Sequence, residues 1–211
     1  MFSQEYWDNL SKIITVVTPI LTLLIAFYGI SVWKKQLKGR NTYDLARRVL
    51  ILVFRLRDSV YILRPINKMK TTFELLIANS IREIDTEKLK GMTFSECLNQ
   101  SLYKDPFKKF LEYDADLKFA NVEVEVLFGK ESSKQIEEFL EHVISFYNNY
   151  TVYVSNIIAK EKDDFYYLLG EEYSEDFIFR NENDDDIFSL KMKNSTLKIE
   201  KTLSPFLNLK K

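Results

Sequence analysis

Cysteine and histidine occur once each in the 211 residues, as Cys97 and His142. A lone thiol excludes an internal disulfide framework, and one thiol with one imidazole cannot complete a zinc site of Cys and His ligands within one chain. Glycine is scarce as well: the five, at positions 29, 39, 91, 129 and 170, are isolated from one another. A phosphate-cradling loop needs them close together, because only residues without a side chain let successive backbone amides wrap an anion. A dimetal carboxylate site fails by the same kind of count, since it calls for two histidines, each three residues from a glutamate. Net charge is almost absent, with 30 Lys and Arg against 31 Asp and Glu, so no global polarity draws the chain to nucleic acid. The expectation is a non-enzymatic protein without cofactor, metal site or nucleic-acid partner.

What the chain does have is one uncharged apolar run, IITVVTPILTLLIAFYGISVW, Ile13 to Trp33, followed at once by KKQLKGR. As a helix it reaches about 31 Å, matching a hydrocarbon layer of about 30 Å. Two other readings compete. A core helix of a soluble domain is usually shorter or two-faced, whereas this run is apolar all round except for Thr15, Thr18, Thr22 and Ser31, whose hydroxyls can bond back to helix carbonyls. A secretory signal wants a positive start and a small-residue cleavage site, but Glu5 and Asp8 precede a single Lys12, and bulky Tyr28, Val32 and Trp33 stand at the exit. A transmembrane helix over residues 13–33 is therefore expected. Lys34, Lys35, Lys38 and Arg40 follow it directly, which by the positive-inside rule leaves the N-terminal tail, 1–12, outside and the rest in the cytoplasm. Those four cations should also lie at anionic lipid headgroups. Phe2, Tyr6 and Trp7 before the run and Tyr28 and Trp33 at its end supply amphipathic rings for both interfaces. Within it, Thr15, Thr18, Pro19, Thr22, Ala26 and Gly29 form a stripe of small or weakly polar residues that suits helix-on-helix packing.

Behind a basic juxtamembrane segment, 34–40, residues 41–211 read as one cytoplasmic domain: an all-α antiparallel bundle of about four main helices, with neither linker nor internal repeat to divide it. Gly39 offers a break, and Asn41 with Asp44 can cap a new helix to Arg64, stopped by Pro65. Ala46, Val49, Leu50, Val53, Leu56, Val60 and Leu63 share its apolar face. A weaker helix covers Thr72 to Ile84; Gly91 marks a turn, and Thr93 with Glu96 forms a capping box. Asp105 and Pro106 then open a long helix ended by Gly129. It carries two apolar stripes, one through Phe110, Tyr113, Leu117, Ala120, Val124 and Leu127, the other through Leu111, Ala115, Phe119, Val122 and Val126, so it should be touched on two sides and lie centrally. VEVEV, Val122 to Val126, alternates like a strand, but no second run of that quality exists to pair with it, and helix is preferred. Ser132 or Ser133 should cap the next helix, antiparallel to the last, whose stripe runs from Ile136 to Ile158. Asp184 to Asp186 should cap or charge-complement a final helix with Ile187, Leu190, Leu197, Ile199 and Leu203, ended near Pro205.

Charge is unevenly spread: eleven basic residues against two acids between Lys34 and Lys70, and eleven acids against two basic residues between Glu161 and Asp186. The two segments are electrostatically complementary. On the apolar face of the first cytoplasmic helix stand Arg57 and Arg64, one heptad apart, whereas Arg48, Arg55 and Ile62 point away. A guanidinium there must find acceptors. The expectation is a buried ion pair with a carboxylate of the long central helix, Asp114 being the best placed; the alternative is a site for an anion or ligand. His142, near Glu138, is read as part of a solvated helix surface rather than a general base, and Cys97 as an inert half-buried thiol.

At WKKQLKGRNTYDLARRVLILVFRLRDSVYILRP, Trp33 to Pro65, with VLFGKE at Val126 to Glu131 and IEKTLSPFL at Ile199 to Leu207, the chain resembles a group of bacterial single-span, membrane-anchored helical proteins without an assigned activity. The resemblance implies a bacterial inner-membrane setting and carries over no catalytic residue. The functional expectation is a membrane-tethered interaction or regulatory module working through a protein partner or as a homo-oligomer. A second expectation, from another class, is an antiphage or toxin-like effector that assembles through Thr22, Ala26 and Gly29 and perturbs the bilayer.

Overall fold

The computed structural model describes residues 4–82, 104–161 and 173–207. Helix α1 spans Gln4–Leu63, α2 Lys70–Arg82, α3 Lys104–Phe128, α4 Lys130–Glu161, α5 Glu175–Ile178 and α6 Ile187–Leu207, with a 3-10 turn at Asn67–Met69. Among the described residues there is no strand, only one parallel bridge between Ile66 and Arg180. The protein is all-α, and VEVEV is helical. Residues 1–44 and 45–211 form two compact units.

In the first unit, α1 carries the apolar run, and it is long and apolar enough to cross a membrane, with none of its most apolar window buried. The expected break at Gly39 does not occur: α1 runs through it unbroken. A helical glycine costs only about 1 kcal/mol, and the neighbouring residues favour continuity. Thr42 Oγ1 donates to the carbonyls of Lys38 at 3.1 Å and Gly39 at 2.9 Å, and Arg40 faces Asp44 one turn on at 3.8 Å. Asn41 and Asp44 lie inside this helix and so cap nothing. Leu63 is its last residue, one before Arg64 and two before the Pro65 that was expected to stop it.

In the second unit, the predicted apolar face of α1 is buried from Ala46 to Leu63. The organising helix here is α4, which touches α2, α3, α5 and α6. Along its inner face Ile136, Phe139, Val143, Phe146, Tyr150 and Tyr153 are all buried. Helices α3 and α4 are joined by Gly129 alone, whose φ of 89° lies in the left-handed region and whose N–H bonds back to Glu125 O at 3.1 Å. Their aromatic contacts run in opposite senses, Phe107 against Tyr150 at 6.3 Å and Phe110 against Phe146 at 5.9 Å. So short a link leaves no room for a capping residue. Ser132 and Ser133 are instead buried in the first turns of α4, and Ser132 Oγ donates to Phe128 O at 3.4 Å.

Two packing expectations are corrected. Only one stripe of α3 is covered: Phe110, Leu117, Ala120 and Val124 are buried, while Phe119, Val122 and Val126 are 79%, 65% and 79% exposed. The central helix is thus α4, because it is the one that touches α2, α3, α5 and α6. In α6 the buried residues include Phe188, Met192, Ile199 and Leu203, whereas Ile187, Leu190 and Leu197 are exposed. Pro205 also sits inside α6. The carbonyl it leaves without an amide donor, that of Lys201, accepts the Ser204 hydroxyl at 3.0 Å. The expected turn at Gly91, the Thr93–Glu96 capping box and Cys97 lie outside the described residues.

Candidate functional site

The strongest concentration of polar chemistry surrounds Arg64. Its side chain is fully buried, just past the end of α1, where it meets the segment between α5 and α6. Nε donates to Phe177 O at 2.8 Å and Nη1 to Ser189 Oγ at 2.9 Å. Nη2 reaches Asp176 O at 2.8 Å, Phe179 O at 2.7 Å and Asp186 Oδ1 at 3.0 Å. The guanidinium plane also lies over the Phe188 ring, 4.5 Å from its centroid.

This geometry follows from local rules. Asp186 is the N-cap of α6: its Oδ1 accepts the Ser189 N–H at 2.8 Å and its Oδ2 the Ser189 hydroxyl at 2.7 Å. The short helix α5 ends so that the carbonyls of Asp176, Phe177 and Phe179 converge, and three such dipoles with one carboxylate satisfy a buried cation. Arg180 completes the clasp in the opposite direction. Its N–H donates to Pro65 O at 3.1 Å, its Nε to Arg64 O at 3.1 Å, and its Nη1 to Asp184 Oδ1 at 2.8 Å. Asp184 adopts a φ of 52°, which turns the acidic loop towards Arg180. Around the clasp, Lys68 pairs with Glu182 at 2.6 Å and Lys70 with Glu175. The basic and acidic segments therefore meet in part, through Arg64, Lys68 and Lys70.

Burial pulls the Arg64 guanidinium below its ordinary value, against the upward pull of Asp186. Burial pushes the Asp186 carboxyl up, but the Ser189 hydroxyl and amide, and then Arg64, outweigh it and hold the group below its usual range. Lys70 is raised, chiefly by its hydrogen bond to Glu175. Tyr153 donates to Glu74 Oε1 at 2.7 Å, and burial followed by that bond pushes its phenol well above the ordinary value. His142 is half-buried; burial and then Lys191 lower it, against Glu141 and Glu138.

Of the two arginines expected to aim inward, only Arg64 does. Arg57 lies half-buried along the helix against its neighbour, its Nε and Nη2 donating to Asp58 Oδ1 at 3.0 and 2.7 Å, and it lies over the Phe54 ring. A heptad step drifts by about 20° on a straight helix, and an acid at the next position offered Arg57 a nearer partner. Asp114 pairs with neither. Its Oδ2 accepts from Lys118, one turn along α3, at 2.6 Å, while Oδ1 is buried without a partner. Asp114 lines a cavity of about 120 Å³ with Phe110, Leu111, Lys118, Val143, Ile144 and Tyr147. Arg64, in contrast, spends all three nitrogens within its own chain. An open depression of about 340 Å³ beside the clasp is lined by Asn67, Glu175, Asp176, Phe179, Asn181, Asp185, Asp186 and Ile187. Among the described residues no group of three His, Cys, Asp or Glu side chains is placed to hold a metal ion.

The remaining named residues lie in the first unit. Thr15, Thr18, Thr22, Ala26 and Gly29 are exposed, as are Lys34, Lys35, Lys38 and Arg40, apart from a half-covered position at Gly39 between them. Thr22 Oγ1 bonds back to Thr18 O at 2.8 Å. The role of Asp186 as partner to Arg64 was missed by the sequence reading, although DDIFS, Asp185 to Ser189, contains the Asp-x-x-Ser spacing of a cap. Compared with known proteins, the chain matches no family model, no curated protein and no solved structure.

Proposed function

We propose that this chain is a membrane-tethered, non-enzymatic interaction or regulatory module. In this reading the run from Ile13 to Trp33 crosses a bacterial inner membrane with the N-terminus outside, and the second unit is a cytoplasmic helical bundle. The observation that carries it is the uncovered apolar surface of α1, where Leu24, Ile25, Phe27 and Tyr28 are between 60% and 74% exposed. In water such a surface would lose hydrophobic free energy at every turn of the helix, about 25 cal/mol for each Å² left wet. Lipid removes that cost, and a helix, even with Pro19 inside it, meets almost all of its backbone hydrogen bonds internally, so little is added. Lys34, Lys35, Lys38 and Arg40 support the orientation.

The test is extraction of bacterial membranes with alkaline carbonate, followed by protease treatment of intact spheroplasts. Retention in the membrane, with the C-terminal part protected from protease added outside, is the expected result. Release into the supernatant, or digestion of the C-terminal part from outside, would sink the reading.

A further inference from the structure

Among the described residues, nothing covers the second apolar stripe of α3. Leu111, Ala115, Phe119, Val122 and Val126 follow one another at four- and three-residue steps, on the face opposite the buried one. That spacing is the seam of a helix pair, with Phe119 and Val122 at its middle. We propose that this face docks a second copy of the chain, the two α3 helices lying parallel and in register. The inference rests on the interaction-module reading and names the partner.

Charge selects both the partner and the direction. By the heptad that centres the seam on Phe119 and Val122, one edge carries Asp116 and Glu123, both acidic, and the other carries Lys118 and Glu125. An antiparallel pair sets like edges together, so Asp116 of each copy would face Glu123 of the other. A parallel pair sets unlike edges together and brings Lys118 of each copy to Glu123 of the other, five residues on, which is the usual spacing of flanking ion pairs in parallel coiled coils. Both side chains are half exposed; Lys118 is held by Asp114, whose carboxylate is largely covered, and Glu123 by a surface pair with Arg48 at 2.6 Å. The pair with Arg48 is worth on the order of 0–1 kcal/mol and exchanges readily.

Size sets the strength. Phe119 offers on the order of 150 Å² of ring, but a face this short stays below the about 800 Å² that each partner contributes to a standard interface. The dimer should therefore be weak when dilute and fill as copies are concentrated, as a common membrane would concentrate them.

The experiment uses the full chain in detergent micelles with Cys97→Ser. Val122→Cys in that background should form a disulfide-linked dimer under mild oxidation, and Asp116→Cys, off the seam, should link at least tenfold less. Without introduced cysteines, Phe119→Glu should weaken self-association at least tenfold in sedimentation. Lys118→Glu should weaken it severalfold, and adding Glu123→Lys should restore it. Equal linking at 116 and 122, unchanged sedimentation of Phe119→Glu, or no recovery in the charge exchange would overturn the proposal. So would linking that needs Phe119→Cys mixed with Val122→Cys, which would mean antiparallel pairing. Loss of binding to vesicles or to another protein, with self-association intact, would overturn it too. Release by carbonate with Val122→Cys linking preserved would sink the tether and leave this face standing.

Discussion

Arg64 and Arg57 occupy the same heptad position and differ in almost everything that decides their worth. Arg64 is buried without residual exposure, and three backbone carbonyls, a hydroxyl and a carboxylate depend on it. Removing one member of a buried charged network strands the others, which typically costs about 3–5 kcal/mol. Arg64→Met should lower stability by that order in chemical denaturation of the detergent-solubilised protein, while Arg57→Met should change it by no more than about 1 kcal/mol. Equal losses in the two variants would mean that the clasp is not what holds this end of α1. The pH dependence has a fixed sign. Asp186 is held below its ordinary 3.8, so its contribution is present above that value and is lost as pH falls through the depressed one. His142 is held below 6.5; the unfolded chain takes up the proton first, and stability should begin to fall as pH drops below about 6.5. Thermal melts between pH 5 and 8 should show that fall in the parent protein and not in His142→Gln.

Helices were legible wherever a single apolar face repeated, as along α1 from Ala46 to Leu63, because a 3.6-residue period is local information. Where α3 carried two such faces, periodicity could not say which one is covered, since both satisfy it equally. The partner of Arg64 was illegible for a different reason: Asp186 lies 122 positions away, and no local rule ranks it above Asp114. Caps were legible only where a loop gave them room, as at Asp186, and failed at Ser132 and Ser133, where Gly129 joins two helices by itself. That glycine gives an element-scale prediction. At a φ of 89° any side chain is strained although nothing lies within 4 Å of an added Cβ, so Gly129→Ala should cost about 1–2 kcal/mol. Gly39 should behave in the opposite way. It sits in continuous helix with the same open surroundings, so Gly39→Ala should leave stability unchanged or raise it by up to about 1 kcal/mol. A loss at Gly39 would restore the break that the sequence suggested.

Across the whole molecule, charge is sorted along the chain rather than balanced locally, and the fold uses only part of that sorting. Arg64, Lys68 and Lys70 meet Asp186, Glu182 and Glu175. Lys34, Lys35, Lys38 and Arg40 belong to the other compact unit and remain at the surface of α1. Under the proposed tether their work is done against lipid. Each cation near an anionic leaflet is worth roughly 1 kcal/mol, so the four together bias orientation by roughly 4 kcal/mol, within reach of a surface potential but not of a single ion pair. Changing all four to glutamine should leave the second unit folded, because none of them lies in it. It should also send a substantial fraction of molecules into the membrane with the C-terminal part outside, or scatter the two orientations. Protease added to intact spheroplasts reads this directly, as cleavage of the C-terminal part that the parent chain resists. Unchanged protection would mean that the basic cluster does not set the orientation, and that whatever does lies in the helix itself or in the second unit.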